Sequence, residues 1–357
     1  MKLPCITMLA TLLLTGPAAA QLQITPPATT PSAPAEKQKP KPPAPAKKKE
    51  AAPAPKPSAS PKPSPSPKPA TVIPAPPADD PNVDLVFGAY QRGQYKTAFE
   101  LATVRAQAGD PKAMTMLGEL YSNAMGIRRD YAKAAEWYKR AADAGDREAM
   151  FALAMLRISG RGGPVDKSEA VRLMASAAKL GEPKAAYNLA LLYLDGQTLP
   201  QDVRRSAELL RQAADAGLPE AQYALATFYK EGTGVPKDPE RAVRLLQAAS
   251  LADNVDAEVE YAIAMFNGTG TPKNQPAAVA LLRKASRQGS AIAQNRLAWV
   301  LINGVGTPVD KIEGFKWHLV AKTSGKGDPE LDKQFSDLPA DDRAKAEAAA
   351  RKWLGSK

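Results

Sequence analysis

This 357-residue chain has one cysteine, one histidine, 6% aromatic residues and no long apolar run. Each shortage excludes something. The cysteine is Cys5, near the start, so residues 21–357 contain none. That removes disulfide staples, a thiol nucleophile and cysteine metal sites from the rest of the chain. With His318 as the only histidine, no H-E-x-x-H motif, Cys/His cluster or Ser-His-Asp constellation can be assembled. No catalytic, cofactor-binding or metal-binding residue is therefore expected, and no cofactor. The apolar stretch Leu3–Leu14 is too short to cross a bilayer, which takes about 20 residues.

That stretch follows Lys2 and leads to Ala18-Ala19-Ala20. A short apolar core with small residues at its end reads as a signal peptide over residues 1–20, cleaved before Gln21. Cys5 stands too early in it to be a lipidated cysteine. The reading implies export to the periplasm, with no transmembrane segment after cleavage. An uncleaved N-terminal anchor and full secretion are the alternatives.

Residues 21–81 hold twenty of the 34 prolines, nine lysines and no arginine. Such a segment cannot bury a core and reads as a disordered Pro/Ala/Lys-rich linker. In polyproline II, at about 3.1 Å per residue, it would reach on the order of 180 Å. Nine lysines against four carboxylates give it a net charge of +5, nearly half of the +11 of the whole chain. Anionic neighbours such as wall polymer or lipid headgroups would suit it, and a solvated spacer is the competing reading.

The remainder is periodic. Openers recur every 36 residues at Gly109, Gly145, Gly181, Gly217, Asp253 and Gly289, with a seventh at Gly325. A fixed period in this range marks a solenoid of stacked supersecondary units. Alanine stands four residues after each opener (Ala113, Ala149, Ala185, Ala221, Ala257, Ala293) and a small residue nine after it (Gly118, Ala154, Ala190, Ala226, Ala262, Ala298). With the leucine usual at eight (Leu117, Leu153, Leu189, Leu225, Leu297), one turn after the alanine, they mark the packed side of a helix, where small residues admit a close neighbour. Glycines at fifteen (Gly160, Gly196, Gly232, Gly268, Gly304) and seventeen (Gly126, Gly162, Gly234, Gly270, Gly306) end the first helix and reverse the chain. No strand precedes them and no GK[ST] follows, so they are not phosphate cradles. At twenty-one stand Asp130, Asp166, Asp202, Asp238, Asn274 and Asp310, suited to cap a second helix. Bulky pairs such as Trp137-Tyr138 and Trp317-His318 then mark that helix's buried face, so His318 reads as a packed residue. A shortened unit opens the array at Asn82–Ala108, with its turn at Gly93-Gln94-Tyr95. Residues 326–357 read as C-terminal capping helices.

The fold class is thus all-α: a right-handed α-solenoid of helix-turn-helix repeats over residues 82–325. The pattern A-x-x-x-L-[AG]-x-x-Y, the G-x-G loop, the capping aspartate and the A-A pair of the second helix closely resemble the SEL-one-like repeat, a branch of the tetratricopeptide repeat superfamily. The likeness is strongest over residues 109–325. Arg157, Met265 and Leu301 depart from it at the usual tyrosine position, and Gly196-Gln197-Thr198 lacks the second glycine.

The resemblance implies a scaffold or adaptor, mainly non-enzymatic, whose first helices line a concave binding face. Carried onto this sequence, that face holds Phe151, Met155, Tyr187, Leu191, Tyr223, Thr227, Lys230, Ile263 and Trp299, with Lys112, Glu119, Lys184 and Glu220 at its rim. Core packing is the competing role for each apolar residue. The expected function is protein binding in the bacterial cell envelope. The runner-up is direct binding of peptidoglycan or another anionic polysaccharide, and a third reading is a secreted factor acting on a host. Nucleic acid is not expected as a partner.

Overall fold

The structure, a computed structural model, describes residues 84–355. The expected signal peptide at 1–20 and linker at 21–81 lie outside the described residues. Within them the chain forms α-helices and no strand. The opening unit is α1 (Leu85–Gln91) and α2 (Tyr95–Gln107), joined at Gly93, where φ is +72°. Six helical hairpins follow: α3 (Pro111–Asn123) and α4 (Tyr131–Asp143), α5 (Arg147–Ser159) and α6 (Lys167–Lys179), α7 (Pro183–Asp195) and α8 (Val203–Asp215), α9 (Pro219–Glu231) and α10 (Pro239–Leu251), α11 (Val255–Asn267) and α12 (Gln275–Arg287), α13 (Ala291–Asn303) and α14 (Lys311–Thr323). The array closes with α15 (Pro329–Ser336) and α16 (Ala340–Gly355).

Local chemistry sets these boundaries. Each second helix starts at a side chain that accepts a backbone N–H three residues on, from Asp130 to Lys133 through Asp310 to Glu313. Such a cap contributes about 1 kcal/mol. The capping residue's own N–H donates back into the first helix, as Asp238 does to the Tyr229 carbonyl at 2.8 Å, and this closes the loop. First helices α5 to α13 end on a left-handed glycine. The exception is α3, which ends on Ala124 with φ +58°. A Cβ in that conformation costs roughly 1 kcal/mol. Ala124→Gly should accordingly raise stability by about 0.5–1 kcal/mol, seen as a higher urea midpoint; a lowered midpoint would mean that Ala124 is unstrained.

The glycines at position seventeen have a role beyond reversing the chain. A Cβ on Gly162 would strike the Tyr131 carbonyl, and one on Gly270 the Pro239 carbonyl. On Gly234 it would lie 2.6 Å from the Val203 carbonyl, and on Gly306 2.7 Å from the Gln275 side chain. Each of these glycines thus packs on the first residue of the preceding unit's second helix. They form a seam between units, with main chain against main chain at most positions. Thr198 stands where the third hairpin would have its seam glycine.

The core is small side chains against branched ones. The six alanines at position four are all buried, and so are the alanines at position nine. Gly118 replaces alanine there because the Tyr138 ring lies 2.6 Å from where a Cβ would be. The other second helices carry smaller side chains at the position of Tyr138. Arg157, at a tyrosine position, pairs instead with Glu169 at 2.7 Å, both largely buried. At the far end Trp353 of α16 packs edge-on against Trp317 of α14, centroids 5.0 Å apart. Lys316 lies over both rings, 4.5 and 5.4 Å from their centroids, and bonds Glu313 at 2.9 Å. So α16 packs against α14 of the last hairpin.

Candidate functional site

On each first helix, positions three, seven, ten and fourteen after the opener fall on one stripe, since these steps repeat the 3.6-residue turn. The second helix of the same unit packs on the opposite, alanine-rich face. Among the sequence-derived candidates, the structure separates the buried from the open. Tyr187 and Tyr223 are each 8% exposed, and Thr227 is buried too, its hydroxyl donating to the Tyr223 carbonyl. These three work chiefly in packing and leave a partner little surface. Phe151, Met155, Leu191 and Ile263 are half-buried against the core. Lys230 is exposed and pairs with Glu260 of the next unit at 3.0 Å. Trp299 stands apart at 43% exposed, with Ile292, two stripe positions earlier on α13, at 42%.

Sequence reasoning placed lysines and glutamates at the rim and missed how the charge sorts along the array. Lys112 lies within ion-pair distance of Asp146 and Glu148 at the N-terminal end. Further on, carboxylates dominate. The Tyr187 phenol is pushed up by burial and by Glu220 across the unit junction. The Tyr223 phenol is pushed up by burial, then by Asp256, Glu260 and Glu231. Those carboxylates therefore converge over the α9–α11 junction. Asp256 keeps solvent access, yet surrounding protein strips part of its hydration, and Glu260 adds repulsion; both push its carboxyl up. Lys230 offsets Glu260 alone. The signal that could have revealed this was in the sequence: position three reads Glu220 and Asp256 in consecutive units.

A second cluster lies beneath. Glu258 of α11 is fully buried, and Lys284 Nζ approaches its Oε1 to 2.6 Å in an ion pair, at an angle that makes no directional hydrogen bond. Lys284 also donates a hydrogen bond to Asp253 at 2.7 Å, and the two carboxylates, Asp253 first, push its ammonium up. Asp253, at φ +59°, fills the opener's left-handed place. At the position equivalent to Glu258, Gln222 donates to the Ala214 carbonyl and Gln294 to the Ser286 carbonyl.

His318 is fully buried, with Nε2 2.9 Å from Asp332 of α15, which Lys322 also grips. These bonds pull the Asp332 carboxyl down, the lysine most. The pair pins α15 beside α14. Among the described residues no group of three His, Cys, Asp or Glu side chains is placed to hold a metal ion, and no helix is long and apolar enough to cross a membrane.

Consecutive hairpins of thirteen-residue helices, stacked with their first helices in register, define an α-solenoid, a class that generally serves protein–protein interaction and is typically non-catalytic. A family model for the Sel1 repeat matches residues 111–146, 147–182, 183–218, 219–254, 255–290 and 291–325. The chain belongs to the Sel1 repeat family. Among solved structures it resembles a Sel1 repeat protein from Oxalobacter formigenes, at 26% identity and TM-score 0.60, covering 67% of this chain and 98% of that one. It also resembles the protective antigen c5321 of uropathogenic Escherichia coli, which displays an SLR fold, at 23% identity and TM-score 0.51, covering 72% and 64%. No match was found among curated proteins.

Proposed function

We propose that this chain is an exported scaffold of the bacterial cell envelope that holds a protein partner along the exposed stripe of its first helices. One observation carries the reading: Trp299 and Ile292, two large apolar side chains two turns apart on α13, stand open to solvent on that stripe. Exposed aromatic anchors of this kind are what interfaces use for affinity. Residues 1–20 support export. The carboxylates of α9 and α11 weigh against an anionic glycan on the same stripe, which leaves the lysines of residues 21–81 as the route by which peptidoglycan or another anionic polysaccharide would bind.

A photo-crosslinking residue placed at position 299 in the native cell should capture a protein. The same residue at exposed position 244, on second helix α10, should capture little. Equal capture at both positions, or none at 299, sinks the reading. Export is read separately: envelope-fraction protein should have a mass that begins at Gln21, and a cytosolic chain with Met1 intact would refute it. Salt-sensitive binding to isolated peptidoglycan would favour the polymer reading.

A further inference from the structure

We infer that the stripe of α9, α11 and α13 is a docking surface for an extended, lysine- or arginine-bearing segment of a partner protein, with one large apolar residue seated on Trp299 and Ile292. The inference rests on the scaffold reading above and names the chemistry of its partner.

Three consecutive units supply the surface. Position three reads Glu220, Asp256, Ile292, and position ten reads Thr227, Ile263, Trp299. The two rows lie two helical turns apart on one face. Within them the character changes along the array, from carboxylates on α9 and α11 to exposed apolar side chains on α13. On the helices that carry the carboxylates Thr227 is buried and Ile263 half-buried, whereas Trp299 and Ile292 on α13 are open. The surface thus offers an apolar seat beside a run of negative charge. Glu231 joins Asp256 and Glu260 around the Tyr223 phenol, and Lys230 pairs with Glu260 at 3.0 Å. On α13 itself, Arg296 is exposed on the same stripe and bounds the acidic run at its apolar end.

Charge complementarity selects the occupant. Residues 82–357 keep a net charge of +5 out of the chain's +11, so a negative strip there runs against the prevailing sign. A cationic segment gains from that strip what an anionic polymer would lose. An extended backbone fits better than a helix, because stripe positions on successive units form a ladder of separate contacts. The apolar anchor supplies affinity and the carboxylates set direction and partner choice.

The test uses the full chain with fluorine-labelled tryptophan, the Trp299 resonance being assigned by Trp299→Phe. The probe is a synthetic peptide with lysines at alternate positions around one central leucine. The expected result is a saturable shift of the Trp299 resonance with the other tryptophans unmoved. Affinity should fall about tenfold in Asp256→Asn/Glu231→Gln, and about tenfold when the peptide's leucine becomes alanine. Both carboxylates are on the surface, so these variants keep the fold. The inference is overturned by no shift with the lysine peptide. It is overturned equally by a shift with its glutamate counterpart or a hexuronate oligomer, by binding indifferent to the leucine, or by a Trp299 resonance that moves with protein concentration alone, which would make a second copy the occupant. Position-299 crosslinks in cells combined with a silent peptide titration would remove the partner chemistry and leave the scaffold reading standing.

Discussion

Gly234→Ala will destabilise the array by about 3 kcal/mol or more, whereas Gly217→Ala will cost only about 1 kcal/mol. Both glycines are left-handed, with φ of +67° and +86°. Both substitutions therefore carry the strain of placing a Cβ in that region. The difference is what the new atom meets. At Gly217 nothing lies within 4 Å, while at Gly234 the Val203 carbonyl lies at 2.6 Å and the Val203 side chain at 2.9 Å. A side chain could turn aside, but a carbonyl inside a helix cannot move without its hydrogen bonds. Relief must then come from parting two units. Urea unfolding of the two variants side by side measures the difference. Equal losses would show that the glycine serves only the turn.

The second large effect concerns the buried carboxylate. Lys284→Met should cost about 2 kcal/mol or more, because it leaves the Glu258 carboxyl in the core without its cation. The loss stays below the roughly 3–5 kcal/mol of a fully buried pair, since Lys284 is itself partly in water. Glu258→Gln should be neutral or stabilising. A glutamine there can donate to the Ser250 carbonyl, as Gln222 and Gln294 do to their counterparts. In the glutamine background the lysine substitution should cost under about 1 kcal/mol. If the lysine matters equally in both backgrounds, the pair is not coupled and the account fails.

These two sites show how far the sequence could be read. Period, helix pairing and caps were legible because each is set by a residue's own backbone neighbourhood: Asp238 caps the helix that it precedes, and Gly232 ends the one that it follows. The seam was not, because the carbonyl that excludes a Cβ at Gly234 belongs to residue 203, in another unit. The fate of the stripe was hidden for the same reason. Helical phase puts Tyr187, Tyr223 and Trp299 on first helices facing one way, but cover depends on what the next unit brings. Tyr187 and Tyr223 are covered, and Trp299 on the last first helix is left open. Arg157 departs from the tyrosine pattern in sequence, and only the fold brings Glu169 beside it. His318 was legible as packed, though not its tie to Asp332.

The seam has a further consequence. Where its contact is glycine against a carbonyl, the junction does not depend on which side chains the neighbour carries. Such units are interchangeable parts: a block of 36 residues can be duplicated, excised or transplanted, and the joint it leaves is one the array already makes. Excising residues 181–216, the block that carries Thr198, would bring Gly234 onto the main chain of Lys167 and leave every remaining joint of the glycine kind.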